Sequence, residues 1–382
     1  MKKQQGQTGV ATMVGLLVVS IAIGAAPTAV THLRAAGVLM QIMNAPRPSW
    51  LAALEFPIVE TREQLRLPGG MVSARRFRPQ QLKNAPPLVL LHGVHPEGID
   101  EARQVAFARS MARAGLDVLT PSLPELARFQ VTATTLPRIV HSAQHHAKRT
   151  GRETAGVIGI SFAGGLALVA ASQAHPPWAS FIVTVGSHHN LMRLASYYAG
   201  NPIEGPDGKH HSHTAHPYGS RVLIHAHAEH FFPPEDVAEA RRLLERWMAS
   251  DGQGARAGIG RLRSNDSRAV MAQILDSEVR APLGDQIMTA VEGRREALLA
   301  ASPAGKLAAV KVPVFAVHGA GDPIIPSTET RWLAHELPDK HLASAVITPL
   351  LRHAEMPEEA ESGAYLELVG FMGAILSSAR TR

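Results

Sequence analysis

The sequence predicts an α/β protein with a mostly parallel sheet, helices on both faces of the sheet and a mainly helical insert. Short continuous apolar runs alternate with helical patterns, the alternation stops near residue 188, and it resumes near residue 309. Strands buried on both faces need continuous apolar runs, and strands that alternate with helices imply parallel pairing. The chain has 382 residues, of which 45% are hydrophobic, so it can bury a sizeable core.

The predicted elements follow one another from about residue 55. A hairpin is expected at Gln64–Arg78, because Gly69 and Gly70 interrupt two strand-like halves. The other predicted strands are Pro87–Leu91, Leu116–Thr120, Ala155–Ile160, Phe181–Val185, Val312–Val317 and Leu342–Ile347. The helices predicted between and after them are Ala102–Ala114, Thr135–Lys148, Phe162–Gln173, Ser327–Leu337 and Tyr365–Ser378.

The interruption predicts an inserted helical cap. It contains two Gly-rich, polar stretches interpreted as loops, 205–217 and 251–267, and helical patterns at Glu235–Met248 and Asp285–Leu299. A strand-poor insert inside a parallel-sheet domain is typical of a cap over the sheet edge. The predicted organisation is an anchor and connector (1–45), a first core part (46–187), the cap (188–308) and a second core part (309–382).

Composition excludes several kinds of function. The chain has no Cys, which excludes disulfides, thiolate metal sites and a cysteine nucleophile. Its formal charge of +6 comes from scattered basic residues, not from a run or a patterned face, so we expect no nucleic-acid partner. No cofactor is implied, and the sequence leaves the oligomeric state open.

The N-terminal segment predicts export or membrane anchoring. No charged residue occurs between Lys3 and Arg34, and residues 9–30 are almost all apolar or small. About 20 such residues span a bilayer core. We expect one N-terminal helix that anchors the protein, with the N-terminus inside, because Lys2 and Lys3 outweigh Arg34 on the far side. The rest of the chain then lies outside the cytoplasm.

A cleaved signal peptide is the alternative. Gly24, Ala25 and Ala26 are the small residues that a cleavage site needs. Pro27 follows them directly and the apolar run is long for a signal peptide, which favours the uncleaved anchor. Finding the mature N-terminus at Met1 or near Pro27 distinguishes the two.

A strand-to-helix turn carries the first candidate catalytic residue. The sequence GISFAG (159–164) follows a predicted strand and opens a predicted helix, so Ser161 is expected on a sharp, exposed turn. Small residues two positions before and two after it, Gly159 and Ala163, let the strand and the helix approach closely. The backbone N–H of Phe162 then begins the helix and faces a developing oxyanion. An ordinary tight turn, in which Ser161 caps the helix, is the alternative interpretation.

An acid and a base follow later strands. Asp322 lies in the loop after the strand at 312–317, and His353 follows the last strand. The carboxyl ends of parallel strands meet at one edge of the sheet, where ligands bind. A serine hydroxyl needs a base to accept its proton, and the base needs an acid to orient it. The chain order Ser, Asp, His is therefore consistent with nucleophilic catalysis.

With these motifs the chain resembles α/β-hydrolase-fold serine hydrolases of the esterase and lipase kind, over about residues 55–187 and 309–382. The resemblance rests on His92 and Gly93 after PLVLL, on the Ser161 turn, on HGAGDPIIP (318–326) and on His353. It implies Ser161 as nucleophile, His353 as general base and acid, Asp322 as orienting carboxylate and Val94 as donor of the second oxyanion N–H. Ala163 stands where the family usually has Gly.

A histidine cluster inside the insert offers a different chemistry. The sequence HAHAEH (225–230) resembles the zinc motif HxHxDH of metallo-β-lactamases, with Glu in place of Asp. Imidazoles are good zinc ligands. However, the further ligands of that family have no recognisable motif downstream, and His227 and His230 at i, i+3 suit cap packing equally well. We therefore predict no metal site.

The sequence thus predicts a membrane-anchored or exported serine hydrolase acting on a small-molecule ester or related acyl substrate. A non-catalytic binding protein of the same fold is the second hypothesis. A zinc-dependent hydrolase using His225, His227 and His230 is the third.

Overall fold

The computed structural model describes residues 26–43, 45, 48–173, 177–211, 214–276, 281, 283–351 and 362–381. The strands are β1 (Ile58–Leu67), β2 (Gly70–Pro79), β3 (Pro87–Leu91), β4 (Asp117–Pro121), β5 (Ala155–Ile160), β6 (Ala179–Val185), β7 (Ile203–Glu204), β8 (His210–His211), β9 (Val314–Gly319) and β10 (Leu342–Thr348). The helices before the insert are α1 (Ala26–Ile42), α2 (Ser49–Ala52), α3 (Ala102–Arg113), α4 (Pro124–Ala127), α5 (Thr135–Arg149) and α6 (Phe162–Gln173). Those in and after it are α7 (Leu191–Tyr198), α8 (Pro217–Ala226), α9 (Pro234–Met248), α10 (Gly252–Ala257), α11 (Asn265–Leu275), α12 (Gly284–Glu292), α13 (Arg295–Ala300), α14 (Thr328–Glu336) and α15 (Ser362–Thr381).

The sheet has eight strands in the order β1-β2-β4-β3-β5-β6-β9-β10. β2 pairs antiparallel with both β1 and β4, and every other neighbouring pair is parallel. The predicted mostly parallel sheet is confirmed. Its central strands β3 and β5 consist of apolar residues and glycine, as strands covered on both faces require.

Successive residues of the central strands point into two separate cores. The core on the α5 and α6 face contains Val89, Leu91, Val157 and Ile182. The core on the α1, α3 and α15 face contains Leu88, Leu90, Ile158 and Phe181. This alternation follows from the two-residue period of a strand. Helices cover both faces of the sheet, and the carboxyl ends of the parallel strands lie together at one edge of it.

Most helices of the insert pack around a separate apolar cluster, while α7 buries Leu194, Tyr197 and Tyr198 in the core on the α5 and α6 face. Helices α8, α9, α11 and α12 contribute buried residues to the separate cluster, among them Ile224, Leu243, Met271 and Ile287. The cap is mainly helical, with a two-stranded antiparallel pair, β7 and β8. Three details differ from the predictions. Residues 205–217 include strand β8, 251–267 form α10 and the start of α11, and the predicted helix 285–299 is broken into α12 and α13 at Gly293.

Residues assigned to a connector form a helix that belongs to the domain. α1 buries Ala35 and Val38 in the core beside α3 and α15. Its polar residues are also bonded, since Thr31 Oγ1 accepts from Arg380 (2.7 Å) and Gln41 Oε1 accepts from Ser110 Oγ (2.9 Å). No helix in the described part of the chain is long and apolar enough to cross a membrane. Most of the predicted anchor, residues 1–25, lies outside the described residues.

Burial of His146 predicts a loss of stability in acid. Its ring is fully buried, Nε2–H donates to the carbonyl of Asp117 (2.7 Å), and burial lowers the pKa of His146 from 6.5 to about 4. Between these values the unfolded chain takes up a proton that the folded chain excludes. The neutral His146 ring therefore makes its full contribution to the free energy of unfolding above pH 6.5, and this contribution is lost as the pH falls toward 4. The pKa difference corresponds to about 3 kcal/mol.

We expect the stability difference between wild type and His146→Gln to shift by about 3 kcal/mol between pH 7 and pH 4, in favour of the variant at low pH. Urea unfolding at several pH values measures this difference. His145→Gln, an exposed change on the same helix, is the matched control for replacing a histidine by glutamine there. A stability difference for His146→Gln that does not change between pH 7 and pH 4 contradicts the prediction.

Candidate active site

Ser161 lies in a strained turn between β5 and α6. Its φ is 55°, in the left-handed region that a residue with a Cβ rarely adopts. Its N–H donates to Val185 O (2.7 Å), and its own carbonyl accepts from Gly164 N (3.1 Å). Ser161 is only 8% exposed, so the expectation of an exposed serine is wrong; the loop at Gly93 packs against its side chain. The turn therefore holds this serine where the sequence predicts a nucleophile.

Two glycines make the tight turn possible. A Cβ on Gly159 would lie 2.4 Å from Gly164 Cα, and one on Gly164 would lie 2.1 Å from Ser187 Oγ. No side chain fits at either position without moving backbone. Ala163 is completely buried, so a methyl group is accommodated there. The prediction included Gly159 and Ala163 but missed the requirement at Gly164, which the repeated Gly in FAGG could have suggested.

The loop after β3 lies directly against the serine. A Cβ on Gly93 would be 3.1 Å from Ser161 Cβ, so Gly93 lies against the side chain of the candidate nucleophile. The buried His92 shapes this loop, because its Nδ1 lies 2.8 Å from Gly93 O and its Nε2 accepts from Leu123 N (2.9 Å). These two contacts assign the proton to Nδ1, and burial lowers the pKa of His92, which favours the neutral ring. Val94 follows Gly93, so it lies close to Ser161.

Helix α6 supplies the second candidate oxyanion donor. It begins at Phe162, and the N–H groups of a first helical turn have no partner within the helix. The helix N-terminus also carries a partial positive charge. An oxyanion beside Ser161 would therefore meet N–H groups of two different loops.

Asp322 is held rigidly in the loop after β9. Its side chain is fully buried, and Oδ1 accepts from the amides of Ile324 (2.8 Å) and Ile325 (3.0 Å). His318 stabilises the same loop, since its Nε2–H donates to Ile325 O (2.7 Å) while its Nδ1 lies 2.7 Å from Thr330 Oγ1. The second carboxylate oxygen of Asp322, Oδ2, lies 3.4 Å from His318 Nε2. The predicted acid thus has a fixed orientation.

Backbone hydrogen bonds join the strand ends at this edge. Ser161 N donates to Val185 O (2.7 Å), Gly186 N to Val317 O (2.9 Å) and Ala320 N to Thr348 O (2.9 Å). They connect the ends of β5, β6, β9 and β10 in succession. Because β6 lies between β5 and β9, the strands that carry Ser161 and Asp322 are about 10 Å apart. That spacing leaves room for an imidazole. His353 lies outside the described residues.

A buried carboxylate that the sequence analysis missed determines where the cap leaves the core. Glu329 of α14 is completely buried, and it accepts from the amides of His189 (2.7 Å) and Asn190 (2.8 Å) and from Arg193 Nε (2.7 Å). Asn190 then caps α7 by accepting from Met192 N (2.9 Å). Nothing local in the sequence marks Glu329, because its partners lie more than 130 residues away.

The histidines of the cap do not form a metal centre among the residues that the structure describes. His225 Nε2 bonds Glu245 Oε1 (2.9 Å), whereas the rings of His227 and His230 are 6.2 Å apart. No group of three or more His, Asp or Glu side chains in the described ranges could hold a metal ion. His225 lies in the last turn of α8, whereas His227 and His230 follow the end of that helix, so the i, i+3 pair does not share a face of one α-helix.

Sheet order, the turn at Ser161 and the position of the cap are those of the α/β-hydrolase fold. No model of a known protein family matches the chain, and no curated protein matches it either. Solved structures similar to it include a 2-hydroxy-6-oxo-6-phenylhexa-2,4-dienoate hydrolase of Rhodococcus sp. strain RHA1. That structure is 16% identical, with a TM-score of 0.45, over 85% of this chain and 100% of that one.

Two archaeal proteins are similar at the same level. An esterase of Pyrobaculum calidifontis is 16% identical over 92% of this chain and 90% of that one, with a TM-score of 0.47. An acylaminoacyl peptidase of Pyrococcus horikoshii is 11% identical over 78% of this chain but only 38% of that one, with a TM-score of 0.46. A shared fold does not determine activity, which depends on the residues of the site.

Gly159→Ala should destabilise the protein by more than about 2 kcal/mol, because its Cβ meets the backbone of the first turn of α6. Urea unfolding measures the effect. Gly370→Ala is the matched control, since an exposed helical glycine with open space around it should gain about 0.5–1 kcal/mol. A Gly159→Ala variant as stable as wild type contradicts the close approach described above.

Proposed function

We propose that this chain is a serine hydrolase that cleaves a carboxylic ester, or a related acyl bond, through an acyl-enzyme. The observation that carries the proposal is the left-handed Ser161 on a strand-to-helix turn whose close packing depends on two glycines. Backbone strain in a residue with a side chain persists only where the surroundings enforce it, and it concentrates at functional sites. A turn that merely caps a helix has no need of such strain.

The chemistry assigns a role to each group at the sheet edge. Ser161 Oγ forms a bond to the acyl carbon while His353 accepts the hydroxyl proton. The carbonyl electron pair moves to oxygen, where the N–H groups of Phe162 and Val94 stabilise it. The bond to the leaving alcohol breaks, and the alcohol departs with the proton from His353. Water repeats these steps on the acyl-enzyme and releases the acid and free Ser161.

Asp322 acts as the orienting carboxylate in this scheme. Its Oδ1 is occupied by two backbone amides, which fix the plane of the carboxylate. A fixed anion about 10 Å from the nucleophile strand can hold an imidazole in one tautomer and stabilise it once protonated. Its full burial strengthens that interaction, because water screens it little.

The surface between cap and core favours an apolar acyl group. Val94, Leu223 and Leu298 are partly buried and pack against both the core beneath α6 and the core of the cap. Phe162 and Ile324, beside the nucleophile and the acid, are partly buried apolar residues of the same core. Apolar groups on both sides of this boundary favour binding of a hydrocarbon chain.

A fluorophosphonate probe tests the nucleophile. We expect it to label wild type and Ser172→Ala equally, because Ser172 lies on the same helix and donates to Val169 O in its own helical turn. Ser161→Ala should not be labelled. Wild type that is folded but unlabelled contradicts the enzyme and favours the non-catalytic binding protein.

The same probe reports on the acid. Asp322→Asn keeps an oxygen that can accept from both loop amides, so the loop should persist while the charge is removed. Labelling should then slow by on the order of 10³-fold or more. An unchanged labelling rate contradicts the role of Asp322.

A series of p-nitrophenyl esters tests the acyl preference. If the chain binds at the boundary between cap and core, kcat/KM should rise about fourfold per added methylene from acetate upward until the pocket is filled. Leu223→Ala should flatten this rise, while Leu299→Ala, an exposed change in the cap, should not. A profile that is flat in wild type contradicts an apolar acyl site.

A further inference from the structure

The first residues of cap helix α8 contact both loops of the candidate active site. Tyr218 donates its hydroxyl proton to Val94 O (3.1 Å), in the loop that touches Ser161. Two residues earlier, His216 N donates to Pro323 O (2.7 Å), directly after Asp322. Three consecutive residues therefore connect the oxyanion loop and the acid loop, which are otherwise separated in the sheet.

The acid-loop contact is reinforced by a second cap helix. Tyr197 of α7 also donates to Pro323 O, at 3.3 Å. One backbone carbonyl next to Asp322 thus accepts from Tyr197 of α7 and from His216, the residue that precedes α8. These two bonds hold the beginning of α8 against the acid loop, and Tyr218, in the first turn of α8, bonds Val94 from there.

Several contacts hold the start of α8, which carries Tyr218. The ring of His216 caps α8 by accepting from Tyr218 N (3.1 Å). Gly219 packs so closely against the ring of Tyr198 that a Cβ does not fit there. The ring of Phe129 lies 6.5 Å from that of Tyr218, and Phe129 itself has a left-handed backbone (φ 60°). These contacts hold the backbone of Tyr218 in place while its hydroxyl bonds Val94 O.

The bond to Val94 bears directly on the oxyanion donor. The carbonyl of Val94 and its N–H belong to two peptide planes that share the Val94 Cα. A hydrogen bond to the carbonyl therefore restricts the backbone dihedrals that aim the N–H. Burial raises the pKa of Tyr218, so its hydroxyl remains a donor at neutral pH.

We propose that Tyr218 is a positioning residue through which the cap orients the Val94 N–H toward the oxyanion. This inference rests on the proposed function and adds to it that the cap is part of the catalytic machinery as well as a cover. Tyr218 acts through Val94 and does not need to touch the reacting atoms.

The test compares Tyr218→Phe with wild type in the full chain. With p-nitrophenyl butyrate we expect kcat to fall about three- to tenfold and KM to stay within twofold, because one neutral hydrogen bond is lost. A trifluoromethyl ketone with the matching chain forms a tetrahedral adduct with Ser161 and so resembles the transition state. Its affinity should fall by the same factor as kcat/KM, while that of butyrate stays constant.

Two controls separate positioning from general damage. All rates are expressed per site titrated with the fluorophosphonate, so that misfolded molecules do not count. Tyr365→Phe, on α15 at the opposite face of the sheet, is the matched control and should leave kcat, KM and ketone affinity unchanged.

Each outcome decides the inference. Equal kcat and equal ketone affinity in wild type and Tyr218→Phe overturn it, and so does a rise in KM at constant kcat, which would indicate a substrate contact. Loss of every titratable site in a folded variant also overturns it, because one neutral hydrogen bond cannot account for so large an effect. Wild type that reacts with neither probe nor ester contradicts the proposed function instead.

Discussion

The close approach of β5 and α6 is the constraint on which the candidate site depends. Gly159 and Gly164 meet at a distance that admits no side chain, and this contact allows the tight turn in which Ser161, between them, has a left-handed conformation. The turn in turn places the N-terminus of α6 beside the serine. A single steric requirement thereby determines the position of the candidate nucleophile and of one oxyanion donor together.

Around this turn, the parallel sheet and the cap supply the other groups from distant parts of the chain. Parallel pairing brings the ends of β3, β5, β6, β9 and β10 to one edge, and three backbone hydrogen bonds join the ends of β5, β6, β9 and β10 there. The cap is tied to the same edge through buried Glu329 and through Tyr218. Core and cap therefore behave as one support for the site, although each has its own apolar core.

Prediction from sequence succeeded where a local pattern matched one physical requirement. The strand patterns identified every strand of the parallel core within about two residues. The central strands β3 and β5 are continuous apolar runs because they are buried on both faces, whereas the edge strand β10 alternates between more buried and more exposed residues. Prediction from sequence failed where a segment packs against residues that are distant in the chain. Residues 31–42 were assigned to a connector, since an apolar segment followed by prolines does not reveal that α3 and α15 bury it. The stretch 251–267 is rich in Gly yet helical, because packing against α9 and α11 outweighs propensity.

For the site, the sequence by itself determined the chemical types and their order: a serine on a glycine-flanked turn, an acid after β9 and a histidine after β10. These are local features, since each follows from the residues next to one strand end. Only the tertiary structure decided what holds them. The contact of Gly93 with Ser161, the two amides on Asp322 and the bond from Tyr218 to Val94 join residues far apart in the chain. Such contacts depend on how sheet and cap pack in space, and no local pattern encodes them.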